Sequence, residues 1–293
     1  AEAIERGLKI SGAKQKLAVT SVPSSAVITK ELQISNVFVG MELEEQVRIE
    51  ADQFVPYALD EVALDFQVIG PLKGNPLLNE ILLVACRRDD VSAREDALDT
   101  AGLKCEVVDV DTYVIERVLP WLDRDKEAGT IGIVDIGAST LTLNVLRDGK
   151  VIYNREQAFG GNELTNTIHK QYGLDVAEVE KQLRMREISE EIEEMLVQPF
   201  ASAVAQQVSR SLQFFYSSGA RNQLDRLYLC GGVAGIDDID SIVGTEIGVD
   251  TFIANPAAAM KLASRINPAK LEVDAPALVK AVGLALRSLE KSA

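Results

Sequence analysis

The 293-residue chain predicts an α/β fold in two domains, and three observations carry that expectation. Strand-like and helix-like segments alternate in each half, where segregated domains would show runs of one type. The length exceeds the roughly 100–150 residues of one typical core. DRDKEAGT, Asp123–Thr130, is a polar, apolar-poor break between the two alternating halves and the main expected domain boundary.

The elements follow from local pattern. KLAVTSVPSSAVIT, Lys16–Thr29, is the first strand, with Pro23 marking a break or an edge. Leu43, Val47, Ala51 and Phe54 share one face of a helix that stops before Pro56. EVALDFQVIG and NEILLVACR read as strands separated by the turn chemistry of PLKGNP. A helix capped by Asp90 carries Val91, Ala97, Leu98 and Ala101 and ends at Gly102. KCEVVDV is a strand that runs straight into the amphipathic helix DTYVIERVLPWL.

Past the polar break, IGIVDI and LTLNVLRDGKVIYNREQAF form a meander with a turn at Asp148-Gly149. GGNELT opens a helix, and Asp175 with Glu178 makes a capping box for VAEVEKQL. A long helical pattern runs from Ile192 to Phe215, which Pro199 should kink or split. RLYLC is a strand, GGVAG a glycine turn, IDDIDSIVGTEIG a helix and VDTFIANP a strand. Pro276 sits in the first turn of the closing helix, APALVKAVGLALRSL.

Composition narrows the function. Hydrophobic residues make up 47% and charged residues 26%, the balance of a globular protein. No apolar run approaches the roughly 18–20 residues that cross a bilayer, and nothing at the start reads as a signal peptide, so a cytoplasmic protein without direct membrane insertion is expected. A net charge of −15 argues against nucleic acid and anionic lipid, which need clustered Lys and Arg. Partners should be neutral, basic, or a nucleotide held by backbone amides and a cation.

Cys86, Cys105 and Cys230 lie in apolar strand contexts without a C-x-x-C pair, so they read as reduced thiols, and neither a disulfide scaffold nor a structural zinc site is expected. His169 is the single histidine and reads as a half-exposed helix residue, which excludes multi-histidine metal centres. Between Asp175 and Glu194, eight acidic residues face three basic ones, the composition of a solvated face.

Three glycine turns sit at or beside strand ends: DIGAST after Val134, FGGN at Phe159 and CGGVAG after Leu229. Plain turn geometry accounts for any one of them. Three together fit an anion cradle, because small residues let backbone N–H groups approach phosphate closely. Asp135, ending its strand just before such a turn, could hold magnesium through water, with Ser139 and Thr140 adding hydroxyls. An ordinary hairpin remains the alternative. The chain has no Walker A lysine motif and no G-x-G-x-x-G after a strand.

These segments carry a resemblance. VDIGAST resembles the second phosphate motif of the actin, Hsp70 and sugar-kinase superfamily, YLCGGVAGIDDI its adenosine motif, and VVDVDTYVIERVL and APALVKAVGLALRSL its two connecting helices. SAVITKEL, VACRRDDVSAREDALDTAGL, FGGNELT and especially IEADQFVPYALDEVALDFQVIGP are similar to the PilM family of type IV pilus assembly proteins, relatives of the FtsA cell-division proteins. The resemblance implies a two-domain actin-like ATPase fold, ribonuclease H-like, with an FtsA-type inserted subdomain. It assigns 1–131 to domain 1 with the insertion at about 30–103, 132–272 to domain 2 with a helical subdomain at about 161–218, and 273–293 to a helix returning to domain 1. Residues 1–15 hold no counterpart of the superfamily's first phosphate hairpin, so the chain is expected to begin inside domain 1.

The resemblance also implies ATP or ADP with Mg2+ as ligands. Asp135 would be the magnesium-water ligand and the amides of Gly137, Ala138, Ser139 and Thr140 the phosphate donors; Ala138 stands where many members have glycine. Gly160, Gly161, Asn162 and Glu163 would border phosphates and ribose, and Gly231, Gly232, Val233 and Ile236 the α-phosphate and adenosine. Lys181 would reach the ribose or adenine, or face solvent. Asp109 would orient water for hydrolysis, with a helix N-cap role for Asp109 or Asp111 as its rival. Arg87 and Arg88 would line a partner groove, or simply end a strand.

The implied function is a cytoplasmic ATP-binding scaffold at the inner-membrane pilus assembly platform. It would bind the N-terminal cytoplasmic peptide of PilN, which places it at the membrane through that partner, and contact pilus motor ATPases. An FtsA-like ATPase or filament protein is the second hypothesis and a small-molecule kinase the third.

Overall fold

The computed structural model describes residues 1–123, 129–219 and 223–292, and divides into two compact units, Ala1–Asp111 and Thr112–Ala293. Residues 124–128 of the expected boundary lie outside the described residues.

The first unit opens with helix α1 (Glu2–Ser11), followed by β1 (Leu17–Val22) and β2 (Val27–Ser35). Pro23 and a single 3-10 turn, Ser24–Ala26, separate the two strands, so the expected break is real and each half joins a different sheet. Helix α2 (Met41–Ala51) precedes β3 (Val62–Leu72) and β4 (Asn75–Arg87). These strands run further than their apolar cores suggest. The hairpin turn is only Lys73-Gly74, with Gly74 at φ 89°, and Pro71 and Pro76 are taken up within the strand ends.

The order β2-β4-β3 forms an antiparallel sheet whose inward residues, among them Leu32, Ile34, Ile81, Leu83 and Ala85, pack on Leu43, Val47 and Ala51 of α2. Helix α3 (Arg88–Thr100) starts earlier than expected. Its N-cap position is Arg87, and Asp89 and Asp90 sit in the first turn, where the helix dipole favours negative charge. Strand β5 (Lys104–Val110) pairs in parallel with β1, and α3 is tied to β1 by Arg94 Nε donating to Ser21 O at 2.6 Å.

Helix α4 (Asp111–Leu122) leads into β6 (Thr130–Ile136), β7 (Thr140–Arg147) and β8 (Lys150–Ala158), the expected meander. Helices α5 (Gly161–Tyr172) and α6 (Val176–Met185) follow. Asp175 caps α6 by accepting from Ala177 N and Glu178 N, whereas the Glu178 carboxylate accepts from Gln182 Nε2 at 2.9 Å, so the capping box is half formed. The long helical pattern is not split: a single turn α7 (Glu190–Ile192) runs on through a π-helical stretch, Glu193–Val197, into α8 (Gln198–Ser217), and Pro199, which has no N–H to donate, sits just after the irregular stretch.

Strand β9 (Arg226–Cys230), helix α9 (Ile239–Ile247) and β10 (Thr251–Ile253) complete the sheet. Two elements differ from expectation. A helix α10 (Pro268–Asp274), capped by Asn267 through Ala269 N and Lys270 N, forms where the sequence shows little periodicity. The closing helix begins as a 3-10 turn, Ala275–Leu278, that holds Pro276, and becomes α11 (Val279–Leu286).

The sheet order is β10-β9-β6-β7-β8, with β6, β7 and β8 antiparallel and β9 and β10 parallel to β6. In chain order this is strands 3-2-1-4-5 reversed, the ribonuclease H-like arrangement. Both faces are covered, which explains why TIGIVDI is apolar almost throughout. Val134, Ile136, Leu227 and Leu229 face a core built with α5, α8 and α9. Ile131, Ile133, Tyr228 and Cys230 face Ile115, Val118 and Leu119 of α4 and Val279 of α11.

Candidate functional site

The loop ends of β6 and β9 lie side by side, because Asp135 and Cys230 are register partners in the parallel pair. The turns that follow them are therefore brought together by the sheet itself. Gly137 N donates to Thr140 O at 2.9 Å, closing the tight connection from β6 to β7. DIGAST is thus a hairpin turn and also one wall of a cavity.

The start of α5 packs directly on this turn. Gly161 N donates to Gly137 O at 3.0 Å and Asn162 N to Ala138 O at 2.8 Å. Gly160 lies so close that a Cβ would overlap the carbonyl groups of Gly137 and Ala138, at 2.6 Å. Two glycine turns are thereby locked backbone to backbone, and the first amides of α5 are engaged by protein carbonyls.

Gly231, at φ 87°, brings the third turn against the same place. A Cβ there would overlap Ile136 O and Asp135 Oδ1, while Gly231 N donates to Pro276 O at 2.9 Å. Gly232 has open space around its own Cβ position.

These turns open onto a cavity of about 530 Å³. Gly137, Ala138, Gly161, Asn162, Gly231 and Gly232 contribute backbone to its lining. Leu183, Phe200, Val233, Ile236, Leu271 and Leu278 contribute apolar side chains. The combination of glycine-rich backbone and apolar side chains is that of a site for an amphipathic small molecule. Among the described residues, Asp135, Ser139, Thr140, Gly160, Glu163 and Lys181 lie outside this lining. Ser139 is exposed, and Lys181 pairs with Glu178 at 3.7 Å and lines a neighbouring hollow between α6 and α10.

Arg184 and Asp274 cross the cavity rim as a fork. Nε donates to Oδ1 at 2.9 Å and Nη2 to Oδ2 at 2.8 Å, and the bonds to Asp274 raise the Arg184 pKa above its usual value. Sequence reasoning missed this pair, since Arg184 sits in a stretch that reads as a solvated face and Asp274 in the unexpected helix α10. The remaining sequence candidates lie in the first unit. Asp109, buried on β5, accepts from Val110 N through Oδ1 at 2.8 Å. Arg87 is exposed over the Tyr57 ring at 5.7 Å, and Arg88 donates to Asp60 O and Val62 O.

Asp135 is held from the other side of the sheet. Its Oδ2 forms an ion pair with Lys280 Nζ of α11 at 2.9 Å. The adjacent Cys230 thiol is buried, and burial first, then the Asp135 charge, push its pKa well above the usual range, with Lys280 opposing. Among the described residues no group of three or more His, Cys, Asp or Glu side chains could hold a metal ion.

The sequence profile of the family described as type IV pilus assembly protein PilM matches residues 1–289. The chain belongs to the PilM family. Its structure is similar to a chain of the PilM-PilN type IV pilus biogenesis complex, at TM-score 0.75 and 26% identity, over 98% of this chain and 85% of that one. Lower similarity relates it to ethanolamine utilization protein EutJ from Carboxydothermus hydrogenoformans, at TM-score 0.49 and 18% identity, over 68% of this chain and 61% of that one. MreB 5 of Spiroplasma citri bound to AMPPNP matches at TM-score 0.46 and 16% identity, over 70% of this chain and 66% of that one. With its likeness to the PilM chain and its sheet order, the chain has the actin-like ATPase fold expected from its sequence. Among the described residues, no helix is long and apolar enough to cross a membrane.

Proposed function

We propose that this PilM-family chain is an ATP- or ADP-binding scaffold of the type IV pilus inner-membrane assembly platform, working on the cytoplasmic side and placed there by binding the N-terminal cytoplasmic peptide of PilN. The observation that carries the proposal is the likeness over 98% of the chain to a protein solved as a PilM-PilN complex. Nucleotide would occupy the cavity of the second unit, with the phosphates toward Gly137, Ala138 and Gly231 and the base among Leu183, Ile236 and Leu278.

For the peptide, Arg87 over Tyr57 is the exposed contact on the first unit, since Tyr57 is 43% accessible. Arg88 supports it indirectly by binding the carbonyls of Asp60 and Val62. A scaffold that passes force or signal to a motor needs a stable peptide grip more than fast turnover, so nucleotide acts here as a conformational ligand.

A synthetic peptide from the cytoplasmic N-terminus of PilN, titrated into the full chain by calorimetry, should bind saturably, and Arg87→Ala should weaken that binding. Absence of binding up to high micromolar peptide would refute the scaffold reading.

A further inference from the structure

Between Ala254 and Pro276 the chain leaves the sheet and returns to the same place. Ala254 N donates to Leu229 O at 2.8 Å and Gly231 N donates to Pro276 O at 2.9 Å, so both ends of the excursion are pinned where β9 ends. Ala254, Ala275 and Pro276 are buried, whereas every residue from 261 to 270 is exposed and α10 buries none of its own. Leu271, Val273 and Asp274 nevertheless line the cavity, so this thinly packed segment forms one of its walls.

The fork from Arg184 to Asp274 ties that wall to α6, which is itself anchored in the core by Val179. A bidentate guanidinium–carboxylate pair fixes one closed geometry. Arg184 is 69% exposed and Asp274 34%, so water and salt compete for both partners and the pair is weak enough to open. Pinned ends, an unburied middle and a breakable side-chain tie are the parts of a lid.

We infer that residues 261–274 form a lid on the cavity, latched to α6 by Arg184 and Asp274, and that opening of the latch sets the rate at which nucleotide enters and leaves. The inference rests on the nucleotide reading above. The lid supplies Leu271 and Val273 to the cavity lining, so a ligand in the cavity and the latch favour the same closed state.

Trypsin reads the lid directly, because cleavage after the exposed Lys270 requires α10 to leave its place and unwind. In the full chain without nucleotide, Arg184→Ala and Asp274→Ala should each speed that cleavage about three- to tenfold, and the double variant should be no faster than either. Saturating ADP should slow cleavage of the wild type about tenfold or more, and a fluorescent ADP followed by stopped flow should leave Arg184→Ala about three- to tenfold faster than wild type. Wild-type cleavage rates in both folded single variants, or multiplied effects in the double variant, would overturn the latch. ADP that binds yet leaves cleavage after Lys270 unchanged would overturn the lid and leave the nucleotide reading standing. No ADP binding would overturn the nucleotide reading and the exchange role of the lid together. The wild-type comparison with and without ADP requires no variant, so a variant that failed to fold would still leave the inference open to refutation.

Discussion

Gly231→Ala, compared with Gly232→Ala, tests whether the three glycine turns are packed as described. Position 231 has φ 87°, a left-handed region that costs an L residue about 1–2 kcal/mol. Its Cβ would also overlap Ile136 O and Asp135 Oδ1, and Ile136 is fully buried between sheet and helices, so its backbone has little room to yield. Overpacking of this kind costs about 1–3 kcal/mol more. Together the loss is about 2–5 kcal/mol, and at about 2–4 °C per kcal/mol for a unit of this size the melting point should fall by about 4–20 °C. Gly232 has neither a positive φ nor an atom within 4 Å of its Cβ position, so its alanine variant should stay within about 0.5 kcal/mol of wild type. Thermal unfolding followed by circular dichroism, with urea titration for the free energies, measures both. A Gly231→Ala protein that melts within about 2 °C of wild type, or equal losses for the two variants, would refute the packing argument.

Two further predictions follow from the cavity and the buried thiol. Arg184→Ala should cost at most about 1 kcal/mol of stability, because Arg184 is 69% exposed and solvent screens its pair with Asp274, yet it should lower nucleotide affinity several-fold by opening the rim. Fluorescent-nucleotide titration of Arg184→Ala, Asp274→Ala and the double variant checks this, and strictly additive losses would show that the two residues do not act as a pair. Cys230 has a folded-state pKa above its unfolded value, so its stabilising contribution is complete below the unfolded thiol pKa of about 8.5 and declines as pH rises beyond it. Unfolding free energy should therefore fall more between neutral and strongly alkaline pH in wild type than in Cys230→Ala; equal slopes would contradict the assigned burial effect.

Most elements of the fold were legible, because their signals are local. The alternation in KCEVVDV and RLYLC, the Asp148-Gly149 turn and the apolar face at Leu43, Val47 and Ala51 each report a backbone preference or a buried face within one segment. The misses are also physical. Asp90 looks like a cap by residue type, yet α3 begins at Arg88, whose guanidinium is bound by carbonyls near β3. Helix α10 has no buried residue of its own to give it a period, and forms with an Asn267 cap beside the cavity.

The sequence by itself determined the α/β class, the family resemblance and the three glycine turns as candidates, since short-range periodicity and small-residue spacing are written in consecutive positions. Only the tertiary structure decided what each turn does. It places Gly160 against the carbonyls of Gly137 and Ala138, presses Gly231 onto Ile136 and Asp135 while leaving space beside Gly232, and pairs Arg184 with Asp274 in the cavity lining. It also pairs Asp135 with Lys280 of α11. These contacts join residues far apart in the chain, and their geometry is set by the register of β6 with β9 and by the packing of α11 on the sheet, neither of which any single segment encodes.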